Sequence, residues 1–405
     1  MEQSKIVNMP NNNGINDDNN IPIPWSKRHK KLTKSKDGGL SYSLSNSFAE
    51  PLTSEQLINW TLERGDKDLV DEYYSHPLHY TPNGGSYDLR KAIAELYEST
   101  ISADNILVFP GAQVALQTAA RALANAKSHS ITFTPGYQSV QEGPSHAGGS
   151  VTQISLEAKN GWQIDPAEVE AAVQPNTRYI VINEPYNPAG TLMKPETQSA
   201  LKNIASKYGI YIMCDEVYRL LEHNPDDRLP AMADFYDKGL SCVTLSKPWG
   251  GCGISIGWIA CQDVAVLDTL TDVQYFGTAC PSRASEIQAI MTLKLSERIL
   301  QRNMKIILHN KQLLEKFIQD YSDLFEWITP TAGAIAAIKF KGPLTSHELG
   351  ERLAASGIGI KPAYCFSDTV APENDYFRVG FGESIMPASL DALRNFVDKY
   401  QDEWR

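Results

Sequence analysis

The chain has 405 residues, of which 42% are hydrophobic and 21% are charged, and its formal net charge is −11. These values are typical of a globular protein, and the length favours a large domain with a smaller one. The acidic balance argues against nucleic acid as a partner, and no apolar run approaches the roughly 18 residues that span a membrane. Because the first 25 residues lack an apolar signal-peptide core and the six cysteines form no C-x-x-C pair, we expect a cytoplasmic protein without disulfides or a metal site.

The predicted parts of the chain differ in composition and in their hydrophobic pattern. They are, in chain order, a flexible polar arm (1–40), the first part of a small domain with connecting helices (41–79), a large α/β domain (80–285), an interdomain helix (286–320) and a small C-terminal α+β domain (321–405). Near the start of the second part, Thr53 or Ser54 is expected to cap a helix.

The large domain alternates short apolar strands with helices. The predicted strands are 106–109, 131–134, 151–155, 179–183, 210–214, 242–245 and 256–261. This alternation predicts a mostly parallel sheet with helices on both faces, which is a three-layer α/β architecture. Ligands of such sheets bind at the carboxyl ends of the strands, so the residues just after each strand are the candidate site residues.

Lys247 stands between a short apolar run and the glycine-rich loop 248–253. A lysine held by apolar neighbours loses its proton more easily and can act as a nucleophile towards a carbonyl group. A single lysine after a strand is more often a surface residue, so the other strand ends decide between the two interpretations.

Residues suited to a flat anionic cofactor follow four other predicted strands. The segment 110–113 (Pro-Gly-Ala-Gln) opens a helix whose free N–H groups can bind an anion. Tyr137 offers a ring that can stack on a planar group, although a core tyrosine is the simpler interpretation. Asn187 lies in a proline-locked turn. Asp215 follows a buried strand, where a carboxylate requires a cation.

These residues together resemble the fold-type I class I/II aminotransferase family over about residues 42 to 400. The resemblance rests on N-P-x-G at 187–190, D-x-x-Y at 215–218 and Thr-Leu-Ser-Lys at 244–247. It implies the aspartate aminotransferase-like fold of pyridoxal-phosphate-dependent transferases, with pyridoxal 5′-phosphate as the cofactor. It also implies a homodimer with shared active sites and transfer of an α-amino group from an L-amino acid to a 2-oxo acid.

The resemblance assigns a role to each matching residue. Lys247 matches the lysine that forms the internal aldimine and moves the Cα proton, and Asp215 matches the carboxylate that keeps the pyridine nitrogen protonated. Arg378 matches the arginine that binds the substrate carboxylate bidentately. The other assigned residues are Tyr218 and Asn187 at the ring oxygen, Tyr137 as the stacking ring, Gly111, Ala112, Gln113, Thr244 and Ser246 at the phosphate, and Tyr80 at the phosphate of a neighbouring subunit. Asn187 is also assigned to the substrate.

One departure from the family lies in the loop after Lys247. The family places a phosphate-binding arginine eight residues after the lysine, and here Ser255 takes that position. Ser255 is therefore the expected phosphate contact, and Arg283 is our hypothesis for the replacement cation. Trp249, beside the lysine, is interpreted either as a wall of the substrate site or as packing.

Because Ser255 replaces the family's arginine, a second type of reaction with the same cofactor stays open beside transamination. The chain also resembles specialised-metabolism members such as capreomycidine synthase-like cyclases and arginine oxidases, which cyclise, eliminate from or oxidise arginine or a hydroxylated derivative. A third class, regulators that add a helix-turn-helix DNA-binding domain to this fold, is disfavoured because residues 1–40 are too few and too polar. The residues do not identify the amino-acid substrate.

Overall fold

The structure, a computed structural model, describes residues 24–31 and 41–404. Of the predicted arm over residues 1–40, the helix α1 (Trp25–Lys31) and the residue before it are described, and the rest of the arm lies outside the described residues. Among the helices of the described ranges, none is long and apolar enough to cross a membrane.

A mostly parallel sheet occupies the centre of the described chain. Its strands are β2 (Ile106–Phe109), β3 (His129–Thr134), β4 (Ser150–Ser155), β5 (Thr177–Asn183), β6 (Tyr211–Asp215), β7 (Gly239–Thr244) and β8 (Gly257–Cys261). Their spatial order is β2-β8-β7-β6-β5-β3-β4. The strand β8 runs antiparallel to both of its neighbours, and the other pairs are parallel. The predicted alternation of strands and helices is confirmed.

Helices cover both faces of this sheet. They include α4 (Tyr87–Ala94), α5 (Ala112–Leu123), α8 (Pro166–Ala171), α9 (Pro195–Tyr208), α11 (Val264–Tyr275) and α12 (Arg283–Lys294). In β5, Tyr179 and Val181 pack in the cluster that contains α5 and α11, whereas Ile180 and Ile182 pack in the cluster on the other face. Because both faces of the strand are buried over residues 179–182, this part of β5 is apolar without interruption.

A second core lies between the C-terminal helices and a small antiparallel sheet. The sheet has the order β12-β10-β9, and a short parallel pair joins β1 to β11. The strands are β1 (Tyr42–Ser43), β9 (Phe325–Trp327), β10 (Ile335–Phe340), β11 (Ile358–Gly359) and β12 (Tyr376–Gly380). The remaining helices are α2 (Ser54–Arg64), α3 (Lys67–Ser75), α6 (Gln138–Gln141), α7 (Gly143–His146), α10 (Met232–Phe235), α13 (Ser296–Asp320), α14 (Ser346–Ala355) and α15 (Met386–Trp404).

Local chemistry sets several helix boundaries. Thr53, rather than Ser54, caps α2 through a reciprocal pair of hydrogen bonds with Gln56, an arrangement that stabilises a helix by about 1 kcal/mol. The helices α6 and α7 follow each other closely but stay separate, because Pro144 favours a new helix start. The interdomain helix predicted over 286–320 is interrupted at Leu295, which allows α12 and α13 to pack on different partners.

The segment 45–48 crosses over β12 and the residues after it at very short range. A Cβ atom on Gly380 would lie 1.6 Å from the carbonyl oxygen of Asn46, and one on Gly382 would lie 2.1 Å from that of Phe48. Only glycine permits this approach of the two backbones. The two glycines therefore hold the segment 45–48 over the carboxyl ends of the central strands, where it closes one side of a cavity.

Candidate active site

A cavity of about 430 Å³ opens where the central sheet meets the small antiparallel sheet. The ends of β5, β6 and β7 and the start of α5 supply one wall, and β12 with the segment 45–48 supplies the other. The lining includes Gly111, Ala112, Gln113, Tyr137, Asn187, Asp215, Tyr218, Thr244, Ser246, Lys247, Lys361 and Arg378. The structure thus brings most of the predicted site residues into one space.

Lys247 is part of this lining and lies three residues after β7. Its Nζ donates a hydrogen bond to the Ser47 hydroxyl at 2.9 Å and lies 6.0 Å from the centroid of the Tyr218 ring. Burial, together with the nearby Arg378 guanidinium, lowers the pKa of Lys247 to about 8. The lowered pKa makes the neutral amine more accessible near neutral pH, a state in which it can act as a nucleophile or a base.

Asp215 ends β6 and is 2% exposed. Its Oδ1 accepts a hydrogen bond from the backbone N–H of Val217 at 3.3 Å. Burial raises the pKa of this carboxyl group to about 7. A buried carboxylate that lines a cavity is stabilised by a cation placed against it, and a protonated pyridine nitrogen is such a cation.

Asn187 joins the two walls of the cavity. Its backbone N–H donates to Asn183 Oδ1 at 2.7 Å, which holds the turn in place, and its side-chain Oδ1 accepts from Arg378 Nη1 at 3.1 Å. Because the amide oxygen faces Arg378, the amide nitrogen remains as the donor towards the cavity. Burial raises the pKa of the Tyr218 phenol, so that group is a neutral hydrogen-bond donor beside it.

Backbone and hydroxyl groups form an anion cradle at the start of α5. Gly111 precedes the helix with a φ of +97°, and no side chain caps the helix there. The hydroxyl groups of Thr244 and Ser246, 3.1 Å apart, face the same cavity. The cradle is tight, because a Cβ on Gly257 would lie 2.6 Å from the Ala112 nitrogen. Free N–H groups and hydroxyls of this kind suit a phosphate group, so the residues present fit pyridoxal phosphate.

Arg378 is buried in the opposite wall. Its Nη2 donates to the Ser45 carbonyl oxygen at 2.8 Å, so the partners of its two Nη atoms, this oxygen and the Asn187 amide oxygen, are both neutral. Among the described residues its Nε has no partner, and the ring of Phe366 lies 5.2 Å from the guanidinium carbon. A buried guanidinium in these surroundings is suited to an anionic ligand such as a carboxylate.

Two residues predicted to contact the phosphate in place of the family's arginine, Ser255 and Arg283, lie outside the cavity lining. Ser255 is exposed in a left-handed conformation (φ +57°) and does not line the cavity. Arg283 forms ion pairs with Glu72, Asp88 and Glu286 at 2.5, 2.9 and 3.1 Å. Since three carboxylates already neutralise Arg283 and it lies outside the cavity lining, the hypothesis that it replaces the family's arginine is not supported.

Two aromatic residues also lie outside the cavity. Trp249 is 1% exposed, donates from Nε1 to Ser296 Oγ at 2.7 Å and packs near Trp258. The packing interpretation of Trp249 therefore replaces the prediction that it contacts substrate. Tyr80 is 91% exposed, and it is not among the described residues that line the cavity of the same subunit.

Several residues of the site were missed by sequence reasoning. Among them, Ser45, Ser47 and Lys361 line the cavity but received no role from the sequence. The contact between Ser47 and Lys247 joins residues 200 positions apart. No local pattern marks these positions, because their roles depend on how the two sheets are assembled.

The fold and the site match known proteins. The profile of the family described as aminotransferase class I and II matches residues 71–387. Aspartate aminotransferase of Thermotoga maritima is 26% identical over 335 residues, covering 80% of this chain and 83% of the relative. Arginine–pyruvate transaminase AruH of Pseudomonas aeruginosa is 29% identical over 198 residues, about half of either chain. A pyridoxal-phosphate-dependent aminotransferase from Streptococcus suis superposes with a TM-score of 0.82 at 26% identity, covering 93% of this chain and 96% of that one.

Because the profile covers well over half of the chain, the protein belongs to the class I and II aminotransferases. It has the aspartate aminotransferase-like fold and is a pyridoxal-phosphate-dependent transaminase, as the sequence predicted.

Proposed function

We propose that this one cavity serves both halves of a transamination, in which an L-amino acid gives its α-amino group to the cofactor and a 2-oxo acid receives it. The observation that carries the proposal is the placement of Lys247, Asp215 and Arg378 around one space of about 430 Å³. Pyridoxal phosphate, when bound, supplies an aldehyde that accepts the amino group and a ring that withdraws electrons from the substrate Cα.

Each of these side chains has a distinct task in the proposal. The neutral amine of Lys247 would remove the proton from the substrate Cα and deliver it to the former aldehyde carbon of the cofactor, and the second half-reaction would use the same transfer in reverse. The Asp215 carboxylate holds the proton on the pyridine nitrogen. Tyr218 and the Asn187 amide nitrogen donate hydrogen bonds to the ring oxygen, and the cradle of Gly111, Ala112, Gln113, Thr244 and Ser246 binds the phosphate.

Arg378 binds the carboxylate that amino acids and 2-oxo acids have in common. Its two terminal nitrogens are held by Asn187 and Ser45, so the guanidinium plane is fixed before the substrate arrives. A fixed guanidinium fork binds a carboxylate through two parallel hydrogen bonds. The same contact orients donor and acceptor alike, which allows one site to perform both half-reactions.

A half-reaction experiment tests the proposed function. We expect the holoenzyme, mixed with a productive L-amino acid and no acceptor, to lose the absorbance of the aldehyde form while one equivalent of 2-oxo acid appears. Adding a 2-oxo acid then restores the original absorbance. Release of ammonia, a cyclised product or oxygen consumption through repeated turnovers without an acceptor would instead favour the cyclase, eliminase or oxidase alternative.

We further propose a homodimer in which each subunit completes the site of the other. Large apolar side chains that are 62 to 95% exposed support such an interface, namely Tyr74, Leu78, Tyr80, Tyr87, Tyr275 and Phe276. The Thr81 hydroxyl donates to the Pro281 carbonyl oxygen at 2.7 Å, which places Tyr80 near the chain that follows α11. Exposed aromatic groups of this density are typical of association surfaces. In this arrangement Tyr80 reaches the phosphate in the partner's cavity.

Mixing two defective variants tests the sharing of sites. We expect Tyr80→Ala and Lys247→Ala subunits, refolded together, to regain about a quarter of the wild-type activity at limiting cofactor, because half of the dimers are mixed and each contains one intact site. Each variant refolded alone is the control. If Tyr80 acts within its own chain, both sites of a mixed dimer are defective and no activity is regained.

The six cysteines support the cytoplasm as the proposed compartment. All six are unpaired, and Cys214, Cys242, Cys261 and Cys365 are buried. Unpaired buried thiols are usual in proteins of reducing compartments.

A further inference from the structure

The Ser47 hydroxyl is the side-chain group that holds the Lys247 amine in the cavity. Lys247 Nζ donates to Ser47 Oγ at 2.9 Å, and among the described residues this amine makes no other hydrogen bond. Burial raises the pKa of the Tyr218 phenol, whereas the Arg378 guanidinium and a hydrogen bond with Ser47 act against that rise. A hydrogen bond lowers the pKa of a phenol when the phenol oxygen accepts it. Ser47 therefore accepts from Lys247 and donates to Tyr218.

The segment that carries Ser47 is fixed on both sides of this residue. Before Ser47, the Leu44 carbonyl oxygen accepts from the Gly380 N–H at 2.7 Å. After Ser47, the Ala49 N–H donates to the carbonyl oxygen of Lys247 itself at 3.1 Å. The backbone that carries the hydroxyl is thus bonded to the backbone that carries the amine. Because both are fixed before a substrate arrives, the contact between the two side chains needs little further ordering.

The direction of the hydrogen bond between Lys247 and Ser47 decides where the lone pair of the amine points. A neutral amine has two N–H bonds and one lone pair, and rotation about its last C–N bond offers three staggered directions to them. Ser47 Oγ is an acceptor, so it takes up one N–H bond of Lys247. The lone pair is then directed away from Ser47 and is available to a proton in the cavity. Free rotation without this acceptor lowers the fraction of amines whose lone pair is correctly placed.

The groups around the amine keep it close to the change between its charged and neutral forms. Burial and the Arg378 guanidinium lower the pKa of Lys247 to about 8, and Cys252 and Asp215 oppose this lowering. Burial raises the pKa of the Cys252 thiol, as it does that of the Tyr218 phenol. A hydroxyl oxygen that accepts from an amine stabilises the charged form more than the neutral form. Loss of this acceptor is therefore expected to lower the pKa of Lys247 further.

We propose that Ser47 is a positioning residue that orients the Lys247 amine for transfer of the substrate Cα proton. This inference rests on the proposed function, since it takes Lys247 as the group that moves this proton. In the step, the lone pair of Nζ forms a new N–H bond while the Cα–H bond breaks, and the electrons of the broken bond stay with the substrate. The ammonium group that forms keeps its hydrogen bond to Ser47, and the chain of hydrogen bonds continues from Ser47 to Tyr218.

Steady-state kinetics of the holoenzyme test the orienting role. In the Ser47→Ala variant we expect kcat to fall about 10- to 30-fold, which is the effect of losing one aligned hydrogen bond at the reacting group, while KM changes less than about threefold. The kinetic isotope effect of a Cα-deuterated L-amino acid should be at least as large as in the wild type, because proton transfer is the step that is slowed. Ser47→Thr keeps a hydroxyl group and should stay within about threefold of the wild type. Ser43→Ala is the matched control, because the Ser43 hydroxyl contacts that of Ser45 at 3.0 Å and lies outside the cavity lining.

Chemical labelling of the cofactor-free chain gives a readout that does not depend on activity. Dinitrofluorobenzene modifies the neutral form of an amine, so the pH dependence of labelling at Lys247, followed by mass spectrometry, measures the pKa of that group. We expect the labelling midpoint of Ser47→Ala to lie at lower pH than that of the wild type, and the midpoints of Ser47→Thr and Ser43→Ala to match the wild type. If the loss of Ser47 only loosened the cavity, water would enter and the midpoint would rise towards the ordinary value of a lysine.

The role of Ser47 would be overturned by an unchanged or raised midpoint in Ser47→Ala, by a smaller isotope effect than in the wild type, or by equal losses of kcat in the alanine and threonine variants. A different result separates this inference from the function on which it rests. If the midpoint falls as expected but no amino acid converts the cofactor in the half-reaction, the proposed function fails and the hydrogen bond that positions Lys247 remains.

Discussion

Replacing Lys247 with alanine should lower kcat by roughly 10⁴-fold or more, since in the proposed function one amine both holds the cofactor carbonyl and transfers the Cα proton. The cofactor should still bind, because the cradle at Gly111 and the carboxylate of Asp215 are unchanged. The measurement is steady-state transamination by the reconstituted variant, with its absorbance spectrum recorded beside that of the wild type. A small primary amine added at high concentration should restore part of the proton transfer.

The control for this variant is Lys316→Ala. Lys316 lies on the surface of α13 in an exposed ion pair with Asp320, and such pairs contribute about 0–1 kcal/mol. Its activity and unfolding should match the wild type. If Lys247→Ala kept activity within tenfold of the wild type, the assignment of Lys247 as the proton-transfer group would be wrong.

Replacing Asp215 with asparagine should lower kcat by about 10²- to 10³-fold, which is typical of removing one preorganised electrostatic partner of the transition state. The amide has the shape of the carboxylate but does not hold the pyridine nitrogen in its charged form. Burial already raises the pKa of Asp215 to about 7, so charging this group disfavours the cofactor-free fold at neutral pH. The variant without cofactor should therefore be at least as stable as the wild type in denaturant unfolding.

Glu216→Gln provides the matched comparison for this second variant. Glu216 is the next residue in the chain and is equally buried, but its Oε1 accepts a hydrogen bond from the Met232 N–H and it does not line the cavity. Glutamine keeps that acceptor, so kcat should stay within about threefold of the wild type. Equal activity losses in the two variants would show that Asp215 acts through general packing and not through the pyridine nitrogen.

The sequence was most informative about the site residues that follow or end strands of the central sheet. Asn187, Asp215 and Thr244 follow or end neighbouring parallel strands, and the carboxyl ends of such strands meet at one edge of the sheet. Their proximity is therefore a consequence of local pattern alone. Prediction was weaker for Trp249, two residues after Lys247, because position in the chain does not reveal which way a loop residue faces. Arg283 could not be judged either, since its partners Glu72 and Asp88 lie about 200 residues earlier.

What the sequence determined by itself is the alternation of apolar strands with helices and the kind of residue that ends each strand, since hydrophobic periodicity and turn chemistry are local properties. From these the α/β architecture followed, and the resemblance to the aminotransferase family added the roles expected of Lys247 and Asp215. The tertiary structure decided what stands opposite them. Lys361 and Arg378 reach the cavity because the small sheet is placed beside the ends of the central strands. Ser47 reaches it because Gly380 and Gly382 let the segment 45–48 lie against the small sheet. That contact joins parts of the chain more than 300 residues apart, a separation at which no sequence periodicity carries information.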